Sequence, residues 1–145
     1  LERGDAANYA PHLLRDRLEV GGPTPPHLLM NMAMSDSVIP TSASRALARA
    51  LRIPHVPPVF EDFGLEATAG PGPIAGNLEG GTTAGLFQFD RGRPAADEPG
   101  APAEHGVGLT VEGRLQIEHF LQTWAETGRP EIIDPYTVLE TPSLP

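Results

Sequence analysis

The block His27-Leu28-Leu29-Met30-Asn31-Met32-Ala33-Met34 restricts the fold more than any other part of the chain. Only Asn31 is clearly polar inside it, and Ser35-Asp36, then Pro40, stop it abruptly. Leu, Met and Ala are good helix formers, but the shortness of the run and the prolines before it (Pro23, Pro25, Pro26) favour a buried strand. A strand with apolar residues on both faces suits the middle of a parallel sheet, covered above and below.

The next segment, 42–52, carries an apolar stripe (Ala43, Leu47, Ala50, Leu51) beside a basic one (Arg45, Arg49, Arg52), with Thr41 or Ser42 as N-cap. Strand, turn and helix make the repeating unit of an α/β fold. A second strand is expected over Ala84–Asp90. A last helix is expected from near Thr110 to about Glu126, with Ile117, Phe120, Leu121 and Trp124 at i, i+3, i+4, i+7 as its core face and Glu118-His119 toward solvent. Gly128 and Pro130 stop it. A short helical stretch within 8–18 would group Tyr9, Leu13 and Leu14, and the tail beyond Pro130 reads as Pro-rich and frayed. Residues 53–82 and 91–104 read as long Gly- and Pro-rich loops. The whole of 1–145 is thus expected to be part of one α/β domain. Two parallel strands alone do not make a stable sheet, so further strands are expected upstream of Leu1.

Composition removes several chemistries. The 145 residues include no Cys and no Lys, which excludes disulfides, thiolate zinc sites, cysteine nucleophiles, Schiff-base lysines and the Walker lysine. A net charge of -9 argues against a nucleic-acid partner. No apolar run approaches the ~20 residues a membrane-spanning helix needs, and the first residues do not form a signal peptide. The 17 Pro and 16 Gly cluster in loops, while the apolar residues fall in compact blocks, as in a folded piece with long connections. Gly70-Pro71-Gly72-Pro73-Ile74-Ala75 matches G-x-G-x-x-G/A formally. It lacks the preceding strand and the following helix, and its prolines remove N–H groups a pyrophosphate would need. His12, His27, His55 and His119 stand singly, as loop or surface residues, and no metal-binding spacing occurs.

Two residues carry more. Asp36 follows the first strand at its carboxyl end, where open α/β sheets gather functional groups, although a turn aspartate could simply cap the next helix. His105, in Glu104-His105-Gly106-Val107-Gly108, follows the second strand, with two glycines leaving the ring uncrowded; the bland alternative is a loop histidine. Taken together, an acid after one strand and a histidine after the next describe two members of a nucleophile–His–acid relay, in which the acid orients the imidazole and the imidazole takes a hydroxyl proton.

Here the residues resemble a known family. Leu28 to Ala33, then Met34-Ser35-Asp36-Ser37-Val38-Ile39-Pro40, is similar to the segment of α/β-hydrolase lipases and esterases that ends in the catalytic acid. His105-Gly106, followed by Gln116, Phe120 and Trp124, resembles the histidine loop and C-terminal helix of the same family. Tyr9-Ala10-Pro11-His12-Leu13-Leu14-Arg15-Asp16 is similar to the approach to this strand in bacterial lipase-like proteins. The family's nucleophile sits on a G-x-S-x-G elbow preceding both residues, and none of Ser35, Ser37, Ser42, Ser44 and Ser143 lies in one.

The resemblance implies the C-terminal portion of an α/β-hydrolase fold, incomplete without upstream strands. It implies hydrolysis of a small-molecule carboxylic ester or lipid, with catalytic Asp36 and His105, no cofactor and no metal. The serine would come from an upstream segment or a companion chain. Loop 53–82 would either wall the acyl pocket or be a solvated insertion. The Arg-only, Ala/Gly/Pro-rich composition suggests a bacterial source and constrains no compartment, while the resemblance implies a secreted or cell-envelope protein. The alternative is a non-catalytic α/β module for binding or assembly.

Overall fold

The computed structural model describes residues 5–17, 24–70 and 72–144. Two short helices, α1 (Ala6–Tyr9) and α2 (Pro11–Leu14), precede strand β1 (Leu28–Ala33) and helix α3 (Thr41–Leu51). Strands β2 (His55–Val56) and β3 (Ala84–Phe89) follow, then a two-residue pair β4 (Arg91–Gly92) and β5 (Ala101–Pro102), helix α4 (Val111–Thr127) and helix α5 (Pro135–Val138). The fold is mixed α/β, with a parallel sheet of order β1-β3-β2 and a separate antiparallel β4-β5 ribbon. Among the described residues, the outer edge of β1 has no strand beside it. No helix there is long and apolar enough to cross a membrane.

Alternation along the strands produces two cores. Leu28, Met30 and Met32 of β1, with Ala84 and Leu86 of β3, face Ala10, Leu14, Ala48 and Leu51 of the α1–α3 layer. Leu29 and Ala33, with Phe87 and Phe89, face Val107, Phe120, Ile132 and Tyr136 on the other side. Every residue of β3 is buried, as a central parallel strand requires. Register runs from Leu28 opposite Ala84 to Ala33 opposite Phe89. His27 supports its start, its Nδ1 accepting from the Thr83 N–H at 2.9 Å.

Both expected strands and the two long helices are present, within one or two residues at their ends, but several details differ. Pro40 occupies the N-cap of α3 and no side chain caps it, so neither Thr41 nor Ser42 does so. Segment 53–82 is not wholly irregular, because it supplies β2, the third strand. Its backbone is pinned at 60–61, although many of its side chains are exposed: buried Gln88 accepts from the Phe60 and Glu61 N–H groups at 2.7 and 2.9 Å and donates to Glu61 O at 2.7 Å. His55 is not a surface histidine. It lies in β2, its ring edge-on to Phe63 at 4.6 Å, and burial holds its pKa below the ordinary value. The tail does not fray at Pro130, since Ile132, Ile133 and Tyr136 are buried and α5 follows. The 91–104 stretch holds the β4-β5 ribbon. Near the amino terminus, Ala10 and Leu14 face inward, while Tyr9 and Leu13 are exposed. Residue 18, the expected end of that helical stretch, lies outside the described residues.

Helix α4 departs most from its apolar pattern. Its buried residues are Glu112, Gly113 and Gln116, whereas Leu121 and Trp124 are 52% and 53% exposed. His119 is half-buried, with Nε2 3.1 Å from Glu131 Oε2. The polar face is turned inward because groups from outside the helix bond to it. Glu112 accepts from Arg93 Nε at 2.6 Å, Arg93 N at 2.8 Å and Thr141 Oγ1 at 3.0 Å, and Gln116 donates to Ile133 O at 2.8 Å. Burial alone pushes the Glu112 carboxyl up, but the Arg93 hydrogen bonds outweigh it and leave it below the usual range. A carboxyl lowered in the fold stabilises above its unfolded pKa, and that contribution is lost as pH falls through the folded value. Glu112→Ala, which strands a largely buried guanidinium, is expected to cost about 3 kcal/mol at neutral pH. It should also flatten the acid limb of stability. Urea unfolding at neutral and acidic pH checks both, and wild-type stability in the variant would refute this role.

Candidate functional site

Asp36 and His105 meet at the carboxyl end of the sheet, on loops that leave neighbouring strands β1 and β3. His105 Nδ1 lies 3.1 Å from Asp36 Oδ2. The other oxygen, Oδ1, accepts from the Val38 and Ile39 N–H groups, both at 2.8 Å. Asp36 thus closes a turn with one oxygen and holds the imidazole with the other, so the turn and site readings of this residue are compatible. The Ile39 N–H contributes most to holding its carboxyl below the usual range; partial burial opposes this, and the Val38 N–H and the imidazole reinforce it. The Asp36 side chain is 13% exposed and the His105 ring 49% exposed. Nε2 of His105 has no protein partner among the described residues, and with Nδ1 turned to the carboxylate it is the nitrogen open to a ligand.

The two loops are stitched together beside the pair. Strand continuity carries Met34 N to Phe89 O at 2.9 Å, and Ser35 N donates to Ala103 O at 3.0 Å. Two residues after Ser35, Ser37 N donates to Glu104 Oε2 at 3.2 Å. Ala103 N returns to Asp90 O at 2.9 Å. Glu104 is a positioning contact that sequence reasoning passed over, because nothing in its local pattern distinguishes it from a solvated acid.

Beneath His105, a single turn of 3₁₀ helix at Val107–Leu109 leads into α4. Thr110 caps that helix, its Oγ1 accepting from Gly113 N at 3.1 Å. Gly113 is the tightest contact there: a Cβ at this position would stand 2.1 Å from Val107 O. The glycine that matters therefore lies in the helix, not in the loop. Gly106 has nothing within 4 Å of where its Cβ would be, and its backbone is ordinary, so the openness of the ring does not depend on it.

Around the pair, Val38, Ile39 and Leu109 are exposed apolar side chains at 65%, 44% and 78%. The remaining histidines are elsewhere: His27 at the start of β1, His55 in β2, His119 on α4 and His12 in α2, with Nδ1 of His12 2.7 Å from Asp16 O. No group of three or more His, Asp or Glu among the described residues could hold a metal ion. The Gly70–Ala75 segment opens no helix, and Ile74 forms a lone antiparallel bridge with Ile132; Pro71 lies outside the described residues. No family model, curated protein or solved structure matches the chain.

Two outcomes follow. Asp36→Ala should release the imidazole from its fixed tautomer, read as a change in the ¹⁵N shifts of the His105 ring; unchanged shifts would mean the carboxylate does not orient it. Gly113→Ala should cost about 1–3 kcal/mol through overpacking, despite alanine's higher helix propensity, and should perturb the same ring signals. Calorimetry and the histidine spectrum check it together.

Proposed function

We propose that this chain is the C-terminal part of an α/β-hydrolase-type serine hydrolase that cleaves carboxylic esters. The observation that carries the reading is the 3.1 Å pairing of His105 Nδ1 with Asp36 Oδ2 at the carboxyl ends of two adjacent parallel strands. In this reading the carboxylate holds the proton on Nδ1 and stabilises the imidazolium. Nε2 then accepts the proton of a serine hydroxyl as that oxygen attacks the ester carbonyl, and later returns it to the departing alcohol. Water repeats the sequence to release the acid.

The serine and its oxyanion-hole amides would come from an upstream segment or companion chain. Three features support a partner of that kind. The outer edge of β1 is unpaired among the described residues, and Leu28 to Asn31 are only half-buried. The buried Oδ1 of Asn31 has no hydrogen-bond partner among the described residues. Exposed Val38, Ile39 and Leu109 surround the acid–base pair with apolar surface that a companion segment or an ester's hydrocarbon could cover. The alternative, a non-catalytic binding or assembly module, takes its support from the turn-closing bonds of Asp36, which need no chemistry.

Fluorophosphonate labelling separates the two. The 145-residue chain alone should not label. Expressed with its upstream coding sequence, it should label at a G-x-S-x-G serine, and His105→Ala should lower ester turnover by about 10⁴-fold with the fold intact. Labelling of the chain alone, or near-normal turnover in the His105 variant, would defeat the proposal.

A further inference from the structure

At the opposite, amino end of the sheet lies a cleft of about 710 Å³. Asn77 marks its position: it lines the cleft and bonds both the N–H and the C=O of Ala84, the first residue of β3, at 3.0 and 2.8 Å. Three of the chain's ten arginines, Arg15, Arg49 and Arg52, open onto it.

The orientation of these guanidiniums is unusual for a chain with a net charge of -9. Arg15 Nη2 donates to Arg52 O at 3.1 Å, and Arg49 donates through Nε and Nη2 to Phe63 O at 3.1 and 2.6 Å. Backbone carbonyls therefore fix two of the three side chains, and a carbonyl orients a cation without neutralising it. Arg52 has no side-chain partner, and none of the three has a carboxylate within ion-pair distance among the described residues. Arg45, on the same helix, shows the contrast: it is paired with Glu61. The end of α3 supplies only about half a negative charge. Among the described residues Glu66 is the one acid lining the cleft, so roughly one to two positive charges stay uncompensated there.

We infer that this cleft binds a small amphipathic oxyanion, with a phosphoryl or carboxylate group between Arg15, Arg49 and Arg52 and its apolar body along Leu65 and Leu78. Guanidinium forks match such oxyanions, and the volume falls in the range of small-ligand sites. The site is separate from Asp36 and His105, since it lies where the strands begin and not where they end, and it stands or falls independently of the ester-hydrolase reading.

The test is an amide NMR titration of the ¹⁵N-labelled 145-residue chain with phosphate, succinate and chloride at constant ionic strength. Phosphate, succinate or both should shift Arg52, Ala67 and Asn77 saturably, and the more effective ion identifies the headgroup. Arg52→Gln and Arg15→Gln should each weaken that binding about tenfold or more. Arg114→Gln, on an exposed face of α4, should leave it unchanged. Shifts that do not saturate, that chloride reproduces, or that persist unaltered in both cleft variants would overturn the assignment.

Discussion

Strand β3 is buried on both faces from Ala84 to Phe89, and the other elements are arranged around satisfying it. It pairs with β1 along its length on one side, and on the other with β2 at Leu86 and Phe87 and with the Asn77 side chain at Ala84. Its side chains separate two cores, one roofed by α1–α3 and the other by α4, α5 and the returning tail. Close approach is part of the arrangement. A Cβ on Gly85 would stand 2.4 Å from Val56 Cγ2, so only glycine lets β2 and the Ile132 region close over that point. Because β1 and β3 are parallel and in tight register, the loops leaving them emerge side by side, and Asp36 and His105, 69 residues apart in sequence, come into contact.

The parts legible in the sequence were those whose signal is local. The apolar block ending at Asp36, the helix start near Thr110 and its stop at Gly128 need nothing beyond their neighbours to be read. What escaped depends on distant partners. β2 is two residues long and exists only because β3 offers an edge. The ribbon at Arg91 and Ala101 is equally short. The inward turn of Glu112 and Gln116 could not be inferred from helical periodicity, because their burial is made possible by Arg93, Thr141 and Ile133 O, contributed from outside the helix. Periodicity assigned the core face to Leu121 and Trp124, and the fold left both outside. The acid and base were named from their positions after strands, whereas the Ser35–Ala103 and Ser37–Glu104 bonds that align them leave no trace in either local pattern.

The two ends of the sheet differ in how they use charge. At the carboxyl end, a carboxylate faces an imidazole and both of its oxygens are engaged. At the amino end, carbonyl oxygens fix two of the three guanidiniums, Arg15 and Arg49, and leave their charge in place. Helix α3 joins these regions, starting just after the Asp36 turn and ending at Arg52, whose left-handed backbone (φ 53°) redirects the chain into β2.

The open side of β1 has a consequence for the chain as a molecule in solution. Its outer backbone donors and acceptors form a row with no strand partner among the described residues, on a strand rich in Leu and Met, without lysine or proline to blunt it. Such a row is a template for any extended segment, and in a concentrated solution of this chain the most abundant candidate is the β1 of another copy. Colloidal behaviour is therefore tied to the same edge: a strand lying against β1 would extend the sheet and also keep the chain from adding to itself.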